Sequence, residues 1–170
     1  MLTVLMECRD QEMQLAQTLS VLVSGAVEGL ISDVVVLDHG SRDASARVAD
    51  AAGCRFHQEW DIVDILGSVR GEWLLLLEPG ARPQPGWIDE LGEHLAMDRQ
   101  VAKFSPSRHH LPSFLKRLSR RVPPLEYGFV MPKTKAMAVA QRGMRLAQLV
   151  QRQKTVLLVS EMVPAWATRG

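Results

Sequence analysis

Short apolar runs alternate with helix-like segments along this chain, and this alternation limits the fold more than any other feature. Residues 2–6, 34–37 and 73–77 are almost entirely apolar, as expected of strands that are covered on both faces of a sheet. Between these runs, apolar residues recur at the spacing of a helix. Strands that alternate with helices predict an α/β protein with a mostly parallel central sheet.

Residues that favour helix starts and turns set the boundaries of these segments. We expect Asp10 to cap the first helix, Ser41 or Asp43 the second and Asp61 the third, because their side chains accept hydrogen bonds from backbone N–H groups. Weaker patterns predict strands at residues 54–57, 101–104, 127–131 and 155–160, and helices at residues 87–97, 111–121 and 135–150. Together these elements predict a single domain over residues 1–170.

Composition and length bound the class of protein. The two cysteines match neither a disulfide framework nor a metal-ligand spacing, which predicts a reduced, cytoplasmic protein. No basic region precedes the first apolar run, so we interpret that run as a strand rather than a signal peptide. No apolar run reaches the roughly 20 residues needed to span a bilayer.

The turn after the first predicted strand, residues 7–12, contains no glycine. Dinucleotide-binding proteins need glycines there, so that the backbone can approach a pyrophosphate. The P-loop pattern GxxxxGK[ST] is also missing. These observations exclude NAD oxidoreductases and P-loop NTPases, and the missing glycines count against a SAM methyltransferase.

Acidic residues follow three of the predicted strands. Glu7 and Asp10 come after the first, Asp38 after the second and Glu78 after the third. In a doubly wound sheet these strand ends converge on one crevice. A carboxylate there can accept hydrogen bonds from a nucleobase or a ribose, although Asp38 can equally cap the turn that follows it. The spacing leaves both roles open.

Three motifs, in the same order, resemble family 2 glycosyltransferases of the GT-A fold. VVVLDHGSRD is similar to that family's V-V-D-D-G-S-x-D, ECRDQE to its P-x-R-N-E turn, and GEWLLLLEPGARPQPGW to its G-E-x-L-L-F-L-D-x-D-x-x-P-x-P-G-W segment. Later in the chain, only YGFVM and TVLLVSEMV resemble the family. The resemblance implies a GT-A-like, Rossmann-like three-layer sandwich, with a nucleotide-binding half at residues 1–98 and a basic acceptor-side half at residues 99–170.

The family binds a nucleotide-diphosphate sugar at the carboxyl ends of these strands. By resemblance, the nucleotide-binding residues of this chain are Arg9, Asp10, Asp38, His39, Gly40 and Ser41. The second aspartate of the family's D-D pair is replaced here by His39. An imidazole cannot do the work of an acceptor-only carboxylate, so the preferred base stays open.

The metal-binding D-x-D motif of the family is degenerate in this chain, where it reads Glu78-Pro79-Gly80. We predict the metal and diphosphate site at Glu78, which can hold Mg²⁺ or Mn²⁺ only weakly, through waters and substrate phosphate. A basic residue can stabilise a leaving diphosphate without metal. Arg82 and Arg9 are the candidates for that role.

The family's catalytic base, an acid shortly before the last strand, is also altered. Between Glu126 and Glu161 the chain contains no acid, which leaves Glu161 as the candidate base. The sequence therefore predicts a glycosyltransferase-like protein with weakened or atypical transfer by inversion. The alternative is a non-catalytic pseudoglycosyltransferase that acts as a binding or regulatory module at a membrane surface or on a protein partner.

Charge is divided sharply between the two halves of the chain. Residues 1–98 hold 17 acids and 6 bases, whereas residues 99–170 hold 2 acids and 14 bases. This division predicts either two faces with different partners or two halves that attract each other across the fold. Nucleic acid is not an expected partner, because no recognition motif is present and only 5% of residues are aromatic.

The helix predicted at residues 111–121 combines an apolar stripe with flanking bases, which are Lys116, Arg117, Arg120 and Arg121. This pattern is typical of a helix that lies on an anionic membrane, and it equally fits a helix that packs its stripe on the sheet. Membrane contact suits the family that the motifs resemble, many of whose acceptors are lipid-linked. It predicts a peripheral protein at the inner face of the membrane.

Binding to anionic liposomes separates these two interpretations. The membrane interpretation predicts co-sedimentation with anionic vesicles, since each base near such a surface contributes about 1 kcal/mol. Reversing the charges of Arg117, Arg120 and Arg121 should then release the protein, and neutral vesicles are the control. Retention that the charge reversal leaves unchanged removes the membrane interpretation.

Overall fold

The computed structural model describes residues 1–97, 100–111 and 122–168. The strands are β1 (Leu2–Cys8), β2 (Ile31–Asp38), β3 (Arg55–His57), β4 (Trp73–Leu77), β5 (Arg82–Pro83), β6 (Ala102–Pro106), β7 (Phe129–Pro132) and β8 (Val156–Val163). The helices are α1 (Glu12–Val27), α2 (Ser45–Ala51), α3 (Ile62–Ser68), α4 (Trp87–Met97), α5 (Lys133–Val139) and α6 (Leu146–Leu149). Two 3₁₀ turns lie at Arg108–His110 and Ala165–Thr168.

All of these strands join one sheet in the order β3-β2-β1-β4-β7-β6-β8-β5. Strands β1 to β4 run parallel, β7 is antiparallel to both β4 and β6, β6 and β8 are parallel, and the short β5 is antiparallel to β8. The predicted α/β fold with a mostly parallel sheet is confirmed. Strands from both charge halves contribute to it, so the halves share one sheet.

Each face of the sheet is covered by an apolar layer. In β4, Leu75 and Leu77 face the layer that contains α1 and α4, whereas Leu74 and Leu76 face the layer that contains α3, α5 and α6. All four of these leucines are fully buried. The continuous apolar run of β4 therefore follows from burial on both faces, as the sequence indicated.

The predicted helix caps at Asp61 and Asp43 bind N–H groups at the starts of their helices, whereas the one predicted at Asp10 is wrong. Asp61 caps α3 by accepting a hydrogen bond from the Val63 N–H at 2.9 Å. Asp10 does not cap α1, whose N-cap is Gln11 and has no side-chain cap. Asp10 instead adopts a φ of 50° and lies in the turn before the helix. At α2 the residue assigned as N-cap is Ala44, and the Asp43 carboxylate just before it accepts from the Ser45 N–H at 2.9 Å.

The single helix predicted at residues 135–150 is wrong, because the chain forms α5 and α6 with a turn between them. Gly143 has a φ of 77° in this turn, a conformation that glycine adopts without strain. The Asp61 carboxylate accepts from the Gly143 N–H at 2.9 Å, and the Glu7 carboxylate accepts from the Leu146 N–H at 2.6 Å. These carboxylates belong to other elements, so tertiary contacts interrupt the helix.

The predicted basic helix at residues 111–121 falls almost entirely outside the described residues, which resume at Val122. Lys116, Arg117, Arg120 and Arg121 therefore have no structural description. Within the described ranges, no helix is long and apolar enough to cross a membrane.

Gly71, just before β4, packs directly against the backbone of β1, so a substitution there tests this packing. A Cβ atom at this position would lie 2.5 Å from the Thr3 backbone nitrogen and 2.8 Å from the Leu2 carbonyl carbon. Gly71→Ala should lower the free energy of unfolding by about 1–3 kcal/mol, because the added methyl group would force the backbone of β1 to shift. Urea unfolding followed by circular dichroism measures this change.

Gly67→Ala is the matched control, since no atom lies within 4 Å of the added Cβ in α3. Alanine favours helix over glycine, so this variant should be unchanged or more stable by up to about 1 kcal/mol. Equal effects of the two substitutions would contradict the packing described at Gly71.

Candidate functional site

The carboxyl ends of β1, β2 and β4 meet at two cavities. The first, which we name the Trp60 cavity, has a volume of about 490 Å³, and its walls include Asp38, His39, Trp60, Asp61, Met144 and Arg145. The second, the Glu78 cavity, has a volume of about 310 Å³, and its walls include Glu7, Gln11, Glu78, Leu125, Arg145 and Ala147. Arg145 belongs to both walls, so the cavities are neighbours.

Volume alone does not select this site. A groove of about 480 Å³ lies between α1 and the turn before α4, lined by residues such as Ser24 and Pro85. The strand-end cavities differ in collecting ionisable side chains from several elements. Ligand sites in open α/β sheets form at such strand ends, which makes these two cavities the candidate site.

Asp38, at the end of β2, holds the turn that follows it. Its carboxylate accepts hydrogen bonds from the backbone N–H groups of Gly40 at 3.1 Å and Ser41 at 3.0 Å, from the Ser41 hydroxyl, and from the Cys8 thiol at 3.5 Å. The residue is 1% exposed. Asp38 therefore fills the turn-capping role that the sequence left open, while nucleobase recognition by Asp38 stays a prediction.

Burial and hydrogen bonding act on the pKa of Asp38 in opposite directions. Burial raises the pKa, but the hydrogen bonds from Ser41, Cys8 and Gly40 outweigh it and hold the pKa below its ordinary value. Burial, with the nearby Asp38 charge, raises the pKa of the Cys8 thiol to about 12. The carboxylate is thus charged and the thiol protonated at neutral pH.

The turn after β1 is hydrogen-bonded to the turn after β2. The Asp10 N–H donates to the Ser41 hydroxyl at 2.9 Å, and the Asp10 carboxylate accepts from the Arg42 N–H at 2.6 Å. The Glu12 N–H donates to the Asp43 carboxylate at 2.9 Å. These reciprocal bonds fix the two turns relative to each other beside the Trp60 cavity.

The structure divides the predicted nucleotide-binding residues into two groups. Asp38 and His39 line the Trp60 cavity. The others lie in the adjoining turns and line neither cavity, and they are Arg9, Asp10, Gly40 and Ser41. The predicted residues thus lie in turns that adjoin the cavities, but the sequence did not distinguish residues that face a cavity from residues that shape the turn.

Glu7 and His39 form a cross-strand pair that the sequence did not predict. His39 Nε2 lies 2.8 Å from Glu7 Oε2, and the other Glu7 oxygen accepts from the Leu146 N–H. The His39 ring lies edge-on to the Trp60 ring, with centroids 5.2 Å apart. Trp60 Nε1 donates to the Asp38 carbonyl at 3.1 Å. The imidazole thus holds Glu7 and Trp60 at the strand ends.

The turn from Glu78 to Gly80 keeps a defined geometry. The Ala81 N–H donates to the Glu78 carbonyl at 3.0 Å, and the buried Thr18 hydroxyl accepts from the Gly80 N–H at 2.8 Å while it donates to the Ala81 carbonyl at 2.9 Å. Gly80 has a φ of 99°. Residues with a Cβ rarely adopt this conformation, so an aspartate here would be strained.

The residues present do not fit a divalent metal ion. In residues 1–97, 100–111 and 122–168, no three Asp, Glu, His or Cys side chains are grouped so as to hold one. The second ligand position of the motif is Gly80, which supplies no side-chain oxygen. Mg²⁺ and Mn²⁺ need several oxygen ligands, and the described chain offers Glu78 alone at this turn.

The remaining predicted site residues lie away from the cavities. Arg82 begins β5 and lines neither of them. Glu161, in β8, pairs with the Arg108 side chain at 3.1 Å and accepts from its backbone N–H at 3.0 Å. Glu161 also lines neither cavity, and its side chain is engaged by Arg108 beside β8.

The segment 142–146 reaches the site from the basic half of the chain. The Arg142 guanidinium is bidentate on Asp64, with distances of 3.2 and 3.3 Å, while Asp61 and Glu7 bind the backbone N–H groups of Gly143 and Leu146. These contacts support attraction between the two charge halves. They also place Arg145, which sequence reasoning missed, between the cavities.

Two sequence signals point to the residues that were missed. Trp60 stands directly before the Asp61 helix cap and after β3, at the same edge of the sheet as the predicted acids. Arg145 follows Gly143 in a stretch where arginines occupy the region in which the resembled family carries an acid. Neither signal gives the spatial arrangement, because both residues depend on packing between distant segments.

The fold matches those of solved glycosyltransferases. Glucosyl-3-phosphoglycerate synthase from Mycobacterium tuberculosis, in complex with Mn²⁺, UDP and glucosyl-3-phosphoglycerate, has a TM-score of 0.57 at 17% identity, over 79% of this chain and 57% of that chain. The same enzyme with phosphoglyceric acid has a TM-score of 0.58 at 18% identity, with the same shares covered. A structure described as a mycobacterial protein has a TM-score of 0.58 at 20% identity, over 79% and 54%.

These similarities establish the fold as GT-A-like. They confirm the fold that the three motifs implied. No protein-family model matches the sequence, and a search of curated proteins finds no match. The chain spans a little over half the length of the solved structures it resembles. The neighbouring enzyme binds UDP with Mn²⁺ or Mg²⁺ in its solved complexes.

The Asp38 turn generates a prediction about pH. Because the pKa of Asp38 is lower in the folded than in the unfolded chain, its stabilising contribution is complete above the unfolded-state pKa, near 4, and is lost as the pH falls through the folded-state pKa. Asp38→Asn should lower the free energy of unfolding by about 1–3 kcal/mol at pH 7. That difference should shrink below about pH 4.

Urea unfolding of wild type and variant across this pH range measures the effect. Asp50→Asn is the matched control, since Asp50 is an exposed aspartate in α2. A cost of Asp38→Asn that is the same at pH 7 and below pH 4 would contradict the role of the carboxylate in the turn.

Proposed function

We propose that this protein binds a nucleotide-diphosphate sugar in the Trp60 and Glu78 cavities. The single observation that carries the proposal is the convergence of β1, β2 and β4 on two neighbouring cavities that share Arg145. A GT-A-like fold and three matching motifs support it, because nucleotides bind at this edge of open α/β sheets. The substrate class is inferred from chemistry and from similarity of fold.

The Trp60 cavity suits the nucleoside. Its volume of about 490 Å³ falls within the range of small-molecule sites. Trp60 offers an aromatic ring on which a base can stack, and His39 already holds that ring edge-on. Stacking is tolerant of base identity, which agrees with a chain that has lost the second aspartate of the D-D pair.

The Glu78 cavity suits the diphosphate and the sugar, because it adjoins the first cavity at Arg145 and contains the turn that replaces D-x-D. Transfer to an acceptor is expected to be weak or absent. Glu161, the candidate base, is engaged by Arg108 and lines neither cavity. A general base must lie within hydrogen-bond reach of the hydroxyl that it deprotonates.

We therefore favour nucleotide-sugar binding with weakened catalysis, and these same contacts favour the non-catalytic alternative over a fully active enzyme. Contact with an anionic membrane or a lipid-linked acceptor, and a location at the inner face of the membrane, stay predictions of the sequence. The bases on which they depend lie among residues 112–121, outside the described chain.

Isothermal titration calorimetry with UDP, GDP and their sugars tests the proposal. We expect binding of at least one nucleotide, and we expect Trp60→Leu to weaken it by about 5- to 100-fold, since base stacking contributes about 1–3 kcal/mol. Trp60→Phe is the matched control, because it keeps an aromatic face and should lose less. The absence of heat with every nucleotide and nucleotide sugar would contradict the proposal.

A further inference from the structure

Three of the carboxylates around the two cavities are held by hydrogen bonds within the protein. Glu7 is bound by His39 and the Leu146 N–H, Asp38 by its own turn, and Asp61 by two backbone N–H groups. Hydrogen bonds of this kind satisfy a carboxylate and reduce its repulsion of an incoming anion. The acid-rich walls therefore do not by themselves exclude a phosphate group.

Unlike these carboxylates, the Arg145 side chain has no ion-pair partner among the described residues and can bind a ligand. It is exposed and lines both cavities. In the described part of the chain, no carboxylate lies within salt-bridge distance of the Arg145 guanidinium. The guanidinium of the nearby Arg142, by contrast, forms an ion pair with the Asp64 carboxylate. The backbone on either side of Arg145 is held, because the N–H groups of Gly143 and Leu146 are bound by carboxylates.

Arg145 lies at the wall between the two cavities, which is where the diphosphate of a nucleotide sugar would lie if it bound as proposed above. A ligand with its base in the Trp60 cavity and its sugar in the Glu78 cavity must pass its diphosphate across the wall that the cavities share. A guanidinium offers a planar fork of N–H donors that matches phosphate oxygens, and it stays charged at every accessible pH.

We propose that Arg145, and not a divalent cation, balances the charge of the diphosphate, so that this protein binds nucleoside diphosphates independently of metal. The inference rests on the proposed function. It is carried by two observations: the shared-wall position of Arg145, and a donor set at Glu78-Pro79-Gly80 that does not fit Mg²⁺ or Mn²⁺. Arg82 and Arg9, the cations expected from the sequence, line neither cavity.

Titration calorimetry of the full chain with UDP and GDP, in EDTA and in Mn²⁺, tests the proposal. The dissociation constant of the wild type should agree within about twofold between the two buffers. Arg145→Met should weaken binding by about 10- to 100-fold, the effect of losing a hydrogen bond to a charged group. Arg145→Lys should recover part of the loss, because charge returns without the planar fork.

Two controls separate phosphate binding from a structural role. Arg152→Met removes the same charge from an exposed arginine that lines neither cavity, and it should leave binding unchanged. The matching nucleosides, uridine and guanosine, lack phosphate, so Arg145→Met should leave their binding unchanged. Equal losses for nucleoside and nucleoside diphosphate would overturn the proposal.

The remaining outcomes distinguish this proposal from the function on which it rests. Binding of UDP or GDP that requires Mn²⁺, or that Arg145→Met does not weaken, overturns the role of Arg145 and leaves nucleotide binding intact. No binding of UDP or GDP by the wild type in either buffer overturns both. An unchanged urea midpoint for Arg145→Met shows that any lost affinity does not come from unfolding.

Discussion

The two hydrogen-bonding interactions of the Glu7 carboxylate are the contact on which the candidate site depends. One oxygen pairs with His39 at 2.8 Å, and the other accepts from the Leu146 N–H, 139 positions further along the chain. This carboxylate thereby joins the ends of β1 and β2 to the segment between α5 and α6. Arg145 lies in that segment and forms part of both cavity walls. This contact, together with the bond from the Gly143 N–H to Asp61, holds Arg145 at the wall that the cavities share, and charge-assisted bonds of this kind are strong.

Electrostatics and backbone geometry together limit what this site can bind. The acids that converge at the strand ends serve mainly to hold turns and to fix segment 142–146, so their number does not measure affinity for a cation. Gly80 adopts a φ of 99° and gives its N–H to Thr18, so the backbone at the position of the second D-x-D aspartate disfavours any residue with a Cβ atom. This turn therefore supplies the Glu78 carboxylate but no second one, and ligation of a metal requires several oxygen atoms.

The sequence predicted well wherever one local signal decides the structure. β4 is bounded as its apolar run indicated, α4 spans the residues expected, and Asp61 caps α3. Errors occurred where a distant residue competes with the local pattern. Asp10 binds the Arg42 N–H in the next turn instead of capping α1, and the predicted helix at residues 135–150 is interrupted by carboxylates from two other elements. Hydrogen bonds between turns cannot be read from spacing, since both partners must first be brought together.

By itself, the sequence determined the α/β class, the mostly parallel sheet and the three strand-end turns, because the period of apolar residues and the turn chemistry are local properties. Only the tertiary structure decided which side chains face a cavity. It placed Asp38 within its own turn, kept Glu161 with Arg108 and set Trp60 and Arg145 in the cavity walls. These outcomes depend on packing between segments that are far apart in the chain, and no local pattern encodes the direction in which such segments meet.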